Sequence, residues 1–458
     1  VQDVDIVQLR GSFKWKRVAK TYDLPEGAAS AAVMVLMVMG GELWIDDVRV
    51  EGAAGPEPLP EDVRAWLDTN AAPLASLAFD ASPDDLVPLG EAMGERRVVL
   101  LGEESHGDGP AFQVKARLVK HLHEHHGFDV VAFEAGLFDC EAANALLAEG
   151  KVREAMFASV HGVWRVEEVR PLFEYIAARA KTDRPLRLTG FDPQATGGAA
   201  LELGDRLGVV LGDDAFGPSR RDAIRGGIER IWEGKATSKD RKALLAALDA
   251  ARSPLADRRD ALVAAHGEGE IALLEVAVDN LEFWTKARAK PASKGWAAVN
   301  ARDARMAENF LWLAGTRYPT SKIVGWGATM HFMHGAKTIR EGGKRPYQGC
   351  TPMGQTVYDA LKDDVYVLGF VAHHGDKGTP FWGPFPIPAP PSGSIEDVLH
   401  RDGRPWLFVD LTAAKGPFRG KRQAGPLGYS RTMTADWGEI LDGLVFTDVN
   451  VPSSPLGP

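Results

Sequence analysis

The sequence predicts an α/β protein with a mostly parallel central sheet flanked by helices, an inserted helical subdomain and a short N-terminal β segment. Three observations predict this fold. Short apolar runs bounded by glycine alternate with helical segments, as in βαβ units. Residues 197–318 have a helical, highly charged pattern without a strand signal. Apolar runs in the first fifty residues are separated by turn signals, which is typical of a small antiparallel β unit.

The composition excludes several classes of protein. Lys and Arg number 53 against 63 Asp and Glu, and this net charge of −10 argues against a nucleic-acid partner. No apolar run reaches about 18 residues, so no transmembrane segment is predicted. Cys140 and Cys350 are too few for a disulfide scaffold or a four-thiolate zinc site; we interpret both as buried apolar residues and leave one structural disulfide open. The expected partner is a small-molecule substrate, and the oligomeric state is not indicated.

The apolar runs and turn signals of residues 1–52 predict a partial β-sandwich-like segment. Its last stretch, GGELWIDDVRVEG at residues 40–52, resembles the closing strand of carbohydrate-binding-like jelly-roll domains. About half of such a domain is present, so we interpret the segment as a structural appendage. The resemblance implies an exported, secreted or periplasmic protein of bacterial type, with a cytoplasmic location as the alternative.

The remaining chain divides into a first core part at 53–196, the helical subdomain at 197–318 and a second core part at 319–458. Pro110 and Gly127 mark the start and stop of a helix in the first part. The predicted core strands are Val98–Leu101, Val130–Phe133, Leu186–Leu188, Ile323–Trp326, Val365–Leu368 and Leu444–Phe446.

Polar residues gather where these strands end. Parallel strands place their carboxyl ends along one rim of the sheet, where α/β proteins bind ligands. The residues predicted at this rim are Glu103, His106, Glu134, Asp192, His331 and His373. Five segments distant in sequence therefore deliver carboxylates and imidazoles to one place.

These side chains suit the activation of water. A neutral imidazole such as His106 accepts a proton near pH 7, and a carboxylate such as Glu103, three residues away, fixes its tautomer. No GxSxG, GxGxxG or GxxxxGK motif occurs, and Ser105 is interpreted as a loop hydroxyl. The histidines at 121, 123, 125 and 126 are interpreted as a solvated helix end, and His334 and the pair His373-His374 as weaker candidates.

The stretch VVLLGEESHGDGPAFQVKARLVKHLHEHHGFDVVAFEAG at residues 98–136 resembles the opening motif of the erythromycin esterase family, GE-x-[ST]-H-G followed by a helix and by a GFD run that leads to a glutamate. Further similarities follow in order: GFDPQ at 190–194, RDARMAENFLWL at 302–313, GWGATMH at 325–331 and MGQTVYDAL at 353–361. The resemblance covers residues 61–450 and implies an α/β core that encloses a deep cleft.

The resemblance also implies roles for individual residues. His106 matches the histidine taken as the general base, while Glu103 and Glu134 match the motif's glutamates. Lys115 stands where the family usually has arginine, and Ala328 replaces the first histidine of a W-x-H-N-x-H motif, of which His331 keeps the second. The residues expected to contact substrate are Lys115, Trp164, Asp192 and Arg302; for the last two, a buried ion pair or loop anchor is the favoured alternative.

Three functions follow, in order of preference. The first is a hydrolase that cleaves an ester or lactone, of a macrolide or another natural product, with His106 deprotonating water and His331 or Lys115 stabilising the oxyanion. It assigns no metal ligand and no cofactor. The second is a metal-dependent hydrolase that uses the same Glu and His residues. The third is a non-catalytic binding protein on the same fold.

Overall fold

A mixed sheet forms the centre of this computed structural model, which describes residues 58–289, 295–412, 416–429, 431 and 433–457. The strands are β1 (Ala71–Pro73), β2 (Val98–Glu103), β3 (Phe128–Gly136), β4 (Arg187–Asp192), β5 (Lys322–Ala328), β6 (Val365–Thr379), β7 (Trp382–Pro386), β8 (Trp406–Asp410), β9 (Lys421–Ala424), β10 (Met433–Asp436) and β11 (Gly443–Asn450).

The helices of the described residues flank this sheet or follow one another between β4 and β5. They are α1 (Glu61–Asn70), α2 (Val87–Met93), α3 (Gly109–His126), α4 (Leu137–Ala148), α5 (Val152–Ser159), α6 (Arg170–Arg179), α7 (Leu203–Leu211), α8 (Pro218–Trp232), α9 (Ser238–Asp257), α10 (Arg259–His266), α11 (Glu268–Arg288), α12 (Ala297–Trp312), α13 (Thr329–Phe332), α14 (Met353–Leu361) and α15 (Ile395–Asp402).

The strand order in the sheet is β1-β8-β11-β6-β2-β5-β3-β4, with β7 paired to β6. The six strands from β11 to β4 run parallel to their neighbours, whereas β8 pairs antiparallel with β11, and β1 antiparallel with β8. The predicted fold class, a mostly parallel sheet flanked by helices, is therefore confirmed. The predicted β segment at 1–52 lies outside the described residues.

The strands differ in length from the predicted apolar runs. Strand β2 begins at Val98 as expected, but β6 continues to Thr379, well past its apolar run, because its second half pairs with β7. The antiparallel strand β8, which lies between β1 and β11, was not predicted. Glu134 lies within β3, two residues before its end, rather than at the terminus.

Helices α7 to α12 occupy the block between β4 and β5, where the sequence predicts a helical subdomain. Most of them share a hydrophobic cluster that includes Leu207, Phe216, Leu244 and Leu274. The boundaries of this subdomain remain a prediction, because the described residues all fall within a single compact unit. No helix among the described residues is long and apolar enough to cross a bilayer.

Helix α3 begins and ends where the sequence predicts, with Gly127 at a left-handed φ of 74° as its stop. The interpretation of its histidines as a solvated end is wrong for two of the four. His121 and His123 are buried, and the ring of His123 lies 2.6 Å from the hydroxyl of Tyr175. Burial and the charges of His125 and His126 lower the pKa of His121 to about 4, so it packs as a neutral side chain.

Candidate active site

The carboxylate of Glu103, at the end of β2, is fully buried and receives three donors. Trp164 Nε1 and His106 Nδ1 each lie 3.0 Å from Glu103 Oε1, and the Lys115 ammonium binds Oε2. Lys115 reaches this point from α3, and Trp164 from a 3₁₀ turn at Gly162–Trp164. Three converging donors hold the carboxylate in one orientation and supply the charge compensation that a buried carboxylate requires.

His106 follows in the loop between β2 and α3, and its side chain remains 43% exposed above the buried Glu103. Its ring meets the edge of the Trp164 ring at a centroid distance of 5.4 Å. Desolvation alone would lower the pKa of His106, but the hydrogen bond and charge of Glu103, with the charge of Glu134, outweigh it and raise that pKa. Within the described residues no hydrogen bond engages Nε2, the ring nitrogen remote from Glu103.

A second group of charges surrounds the Arg302 guanidinium, which extends from α12. Arg302 lies 2.7 Å from Glu134 Oε1, forms an ion pair with Asp192 at the end of β4, and lies 3.2 Å from His331 Nε2. Asp192 and Glu134 are both buried. Desolvation opposes their ionisation, but the charges of His331, Arg302 and His106 lower the pKa of Glu134 to about 2, and Arg302 lowers that of Asp192. The favoured alternative for Asp192 and Arg302, a buried ion pair, is therefore present.

One peptide group connects the two clusters. Lys115 Nζ donates to the carbonyl of Gly327 at 3.1 Å, and the N–H of Ala328 donates to Glu134 Oε2 at 3.0 Å. The Gly327 carbonyl and the Ala328 N–H belong to the same peptide group, at the end of β5. Strand β5 lies between β2 and β3 in the sheet. The sheet thus places Glu103 and Glu134 on either side of one backbone group.

Gly327 leaves no room for a side chain at this peptide. A Cβ there would lie 2.8 Å from Glu134 Oε2 and 3.0 Å from both the Glu134 Cβ and the Phe332 ring. We therefore expect Gly327→Ala to displace Glu134 from Arg302 and to lower the free energy of unfolding by about 1–3 kcal/mol. Urea unfolding would measure this loss. Gly315→Ala is the matched control, since a Cβ there meets nothing within 4 Å, and an equal loss in the two variants would contradict the prediction.

The structure places the predicted residues in two kinds of position. Lys115 and Trp164 lie beneath His106 and are at most 1% exposed, and His331 is 5% exposed. Arg302 keeps 26% of its side chain exposed. Of the residues predicted from the sequence, His106 and Arg302 are thus the members of the two clusters that retain appreciable contact with solvent.

Two further residues belong to this arrangement but were not singled out from the sequence. Both carboxylate oxygens of Asp303 lie within 3.0 Å of His331 Nδ1, and Asp303 also accepts from the N–H of Met353. His161 Nε2 lies 3.9 Å from Asp192. Asp303 directly follows Arg302 in the motif RDARMAENF and could have been noticed there, whereas His161 occupies an irregular loop that carries no signal.

A cavity of about 210 Å³ is lined by β6 and by segments that follow it in the chain. Tyr429 lines it and donates its hydroxyl to Asp108 at 2.5 Å, two residues beyond His106. The other lining residues are Ala372, Pro388, Ala389, Pro390, Pro391, Glu396 and Gly425. Pockets for drug-sized molecules measure about 300–1,000 Å³, so this cavity has room for part of such a ligand.

His334 and the pair His373-His374 do not join either cluster. The His334 ring stacks on Tyr358 at 4.3 Å. Among the described residues, one group of side chains is close enough together to bind a metal ion, and it includes His373 and His374. Glu103 and Glu134 do not belong to that group. Cys140 and Cys350 are both buried, as predicted from the sequence, and both are free, so the disulfide that the sequence left open is not present.

A family model and two known proteins are similar in sequence to this chain. The erythromycin esterase family model matches residues 123–449, more than half of the chain, and begins after the loop of His106. The Bacillus subtilis (strain 168) protein named "Putative hydrolase YbfO" is 28% identical over 433 residues, which cover 85% of this chain and 91% of that protein. The Escherichia coli protein "Erythromycin esterase type II" is 22% identical over 373 residues, covering 75% of this chain and 87% of that one.

Solved structures agree with this assignment at the level of the fold. A Bacillus cereus protein superposes with a TM-score of 0.70 at 21% identity, over 86% of this chain and 98% of that protein. A mutant of the erythromycin esterase EreC in its open conformation superposes with a TM-score of 0.63 at 14% identity, over 85% of this chain and all of that one. The matched family model and the shared fold confirm the predicted resemblance: the chain belongs to the erythromycin esterase family.

Proposed function

We propose that this protein hydrolyses a carboxylic ester or lactone, and that His106 is the general base that activates water. The observation that carries the proposal is the pairing of His106 Nδ1 with the buried Glu103 at 3.0 Å, while 43% of the imidazole side chain stays exposed. A base needs one oriented nitrogen and one nitrogen that water can reach, and this pairing supplies both.

The proposed reaction transfers one proton in each direction. His106 Nε2 takes a proton from water while the water oxygen bonds to the acyl carbon, and the carbonyl π electrons move onto the carbonyl oxygen. When this tetrahedral intermediate collapses, the bond to the leaving alkoxide breaks and the His106 imidazolium returns the proton to it. Glu103 stabilises the imidazolium in between, as a carboxylate does in a catalytic triad.

Lys115 and Trp164 act on this chemistry through Glu103. Neither side chain is exposed enough to touch a substrate, so we assign both to positioning the Glu103 carboxylate. The burial of Lys115 also argues against the role in oxyanion stabilisation that the sequence suggests for it. Arg302 is the better candidate for that role, since its guanidinium is partly exposed and held by Glu134 and Asp192.

Family membership and the residue at the end of β5 support a proposal for the substrate class. A macrolide lactone is the first candidate, and another natural-product ester is the second. Ala328, half-buried at the end of β5, has only a methyl group where the W-x-H-N-x-H motif has its first histidine. We therefore expect a different substrate preference from that of family members with this histidine.

Hydrolysis of a substrate panel tests the proposal. The panel comprises activated aryl esters, simple lactones and macrolides, with release of the carboxylic acid followed by mass spectrometry. We expect turnover of at least one class by the wild-type protein, without an initial burst of alcohol, because no acyl-enzyme forms. Binding of these compounds without product would instead favour the non-catalytic alternative. Activity that disappears on chelation, with stoichiometric metal in the purified protein, would favour the metal-dependent one.

The raised pKa of His106 predicts the pH dependence of the reaction. A general base acts in its deprotonated form, so we expect kcat/KM to rise with pH through a pKa above 6.5 and then level off. Glu103→Gln removes the charge that raises this pKa, and the rise should therefore move to lower pH while kcat falls. Profiles of kcat/KM against pH for the two proteins measure the shift. An unmoved or upward-shifted profile in Glu103→Gln would contradict the assignment.

A further inference from the structure

Three histidines and one aspartate converge at a place remote in sequence from the residues of the candidate active site. His373 and His374 lie on β6, His400 on α15 and Asp448 on β11. One ligand atom from each lies within 4.8 Å of the other three. The four residues come from three elements, so the tertiary structure alone creates this cluster. We call it the His₃Asp cluster.

The distances within the His₃Asp cluster suit a tetrahedral metal site. Nδ1 of His373 lies 3.0 Å from Nδ1 of His374, His374 Nδ1 lies 3.8 Å from Asp448 Oδ1, and His400 Nδ1 lies 2.6 Å from the same oxygen. Zinc bonds to nitrogen and oxygen of about 2.0–2.2 Å separate the ligands of a tetrahedron by about 3.3 Å. The three observed distances bracket this value, so side-chain rotations that include a tilt of the His400 ring away from its stack on His373 would complete the shell.

The local backbone is unusual for a strand. Successive side chains of a regular strand point to opposite faces, yet the Nδ1 atoms of His373 and His374 approach each other. The next residue, Gly375, has a φ of 104°, which L-residues rarely adopt. The rings of His373 and His400 also stack face to face at 3.8 Å. The first feature brings the Nδ1 atoms of adjacent residues together, and the ring stack places His400 beside them.

We propose that the His₃Asp cluster binds a divalent transition metal of the zinc class. Imidazole nitrogens with one carboxylate form a donor set that Zn²⁺ accepts readily, and four protein ligands make a closed, structural site. The Nδ1 atoms of His373 and His374 face each other at 3.0 Å, so without a cation one of them must donate a hydrogen bond to the other. A bound cation would accept a lone pair from both. The proposal rests on residues outside the candidate active site and does not depend on the proposed hydrolysis.

The bound metal would join the strand ends that hold the loop of His106. Four residues beyond His374, the N–H of Gly378 donates to the carbonyl of Gly107 at 3.0 Å. Three residues beyond Asp448, the carbonyl of Val451 accepts from the N–H of Gly109 at 3.0 Å. A metal at the His₃Asp cluster would therefore cross-link β6 and β11 near these two hydrogen bonds. We expect the bound metal to raise the Tm of the protein.

Metal binding to the untagged full-length chain tests the proposal. After dialysis against a chelator and then its removal, the protein is titrated with ZnCl₂ by calorimetry, and with CoCl₂ while the visible spectrum is recorded. We expect one equivalent of Zn²⁺ to bind, the intense absorption of tetrahedral Co²⁺, and a rise in Tm with Zn²⁺. The double variant His400→Asn/Asp448→Asn should lose all three effects. Loss of a residue that merely orients a ligand weakens metal binding by about 10–100-fold, so loss of two ligands should weaken it by more than about 100-fold.

Two matched variants locate the metal. His125→Asn/His126→Asn removes the two less buried histidines of the other dense group, at the end of α3, and His106→Ala removes the imidazole of the candidate active site. Both should bind Zn²⁺ as the wild-type protein does. Circular dichroism and the metal-free Tm show whether each variant folds, and His400→Asn alone replaces the double variant if that one does not. Absence of binding, or binding that survives in His400→Asn and disappears in either matched variant, would overturn the proposal.

Discussion

Replacement of His106 by alanine should lower kcat by about 10²–10⁴-fold while leaving the fold intact, because general acid–base catalysis contributes that much. The substitution removes the nitrogen that would accept the proton from water. It leaves Glu103 with two of its three donors, Lys115 and Trp164, so the buried carboxylate stays compensated. Steady-state kinetics on the best substrate of the panel measure the loss, and the Tm should change little because the imidazole is half exposed.

His125→Ala is the control for this substitution. His125 is an exposed histidine near the end of α3, and its removal should change neither kcat nor Tm appreciably. If His106→Ala keeps more than about one tenth of wild-type kcat with the same KM, the general-base role assigned to His106 is wrong. A loss of activity accompanied by a large fall in Tm would point to a structural role instead.

Replacement of Arg302 by methionine should have the largest effect on stability. The guanidinium compensates two buried carboxylates, Glu134 and Asp192, and removal of one partner of a buried ion pair typically costs about 3–5 kcal/mol. Urea unfolding at pH 7 measures the difference. Arg170→Met is the control, since that guanidinium is 48% exposed beside Glu167 and should cost no more than about 1 kcal/mol.

The cost of Arg302→Met should also depend on pH. Glu134 has a folded-state pKa of about 2, below its ordinary value of 4.5. Its ionisation therefore contributes stability above pH 4.5, and this contribution is lost as the pH falls toward 2. Without Arg302 the depression of the pKa diminishes, so the wild-type protein and the variant should approach each other in stability as the pH falls over this range. A difference that grows on acidification, or a cost no larger than that of Arg170→Met, would contradict this assignment.

Much of the core could be predicted because the buried strands are marked locally. The runs beginning at Val98 and Ile323 are apolar and flanked by glycine, and Gly127 stops α3 at the expected place. Strand β8 was not predicted because its apolar run is short, and its antiparallel pairing with β11 is a long-range contact. His121 and His123 were assigned to solvent because periodicity does not reveal which neighbour, here Gly90 or Tyr175, covers a helix face.

For the candidate active site, the sequence by itself determined which side chains end the parallel strands, since Glu103 and Asp192 follow directly from strand position. Only the tertiary structure decided what those side chains contact. In the folded chain, the buried Lys115 ammonium binds Glu103. One peptide of β5 accepts a hydrogen bond from Lys115 and donates one to Glu134. The physical reason is that strand order and helix packing bring together residues hundreds of positions apart, and no local pattern encodes those distances.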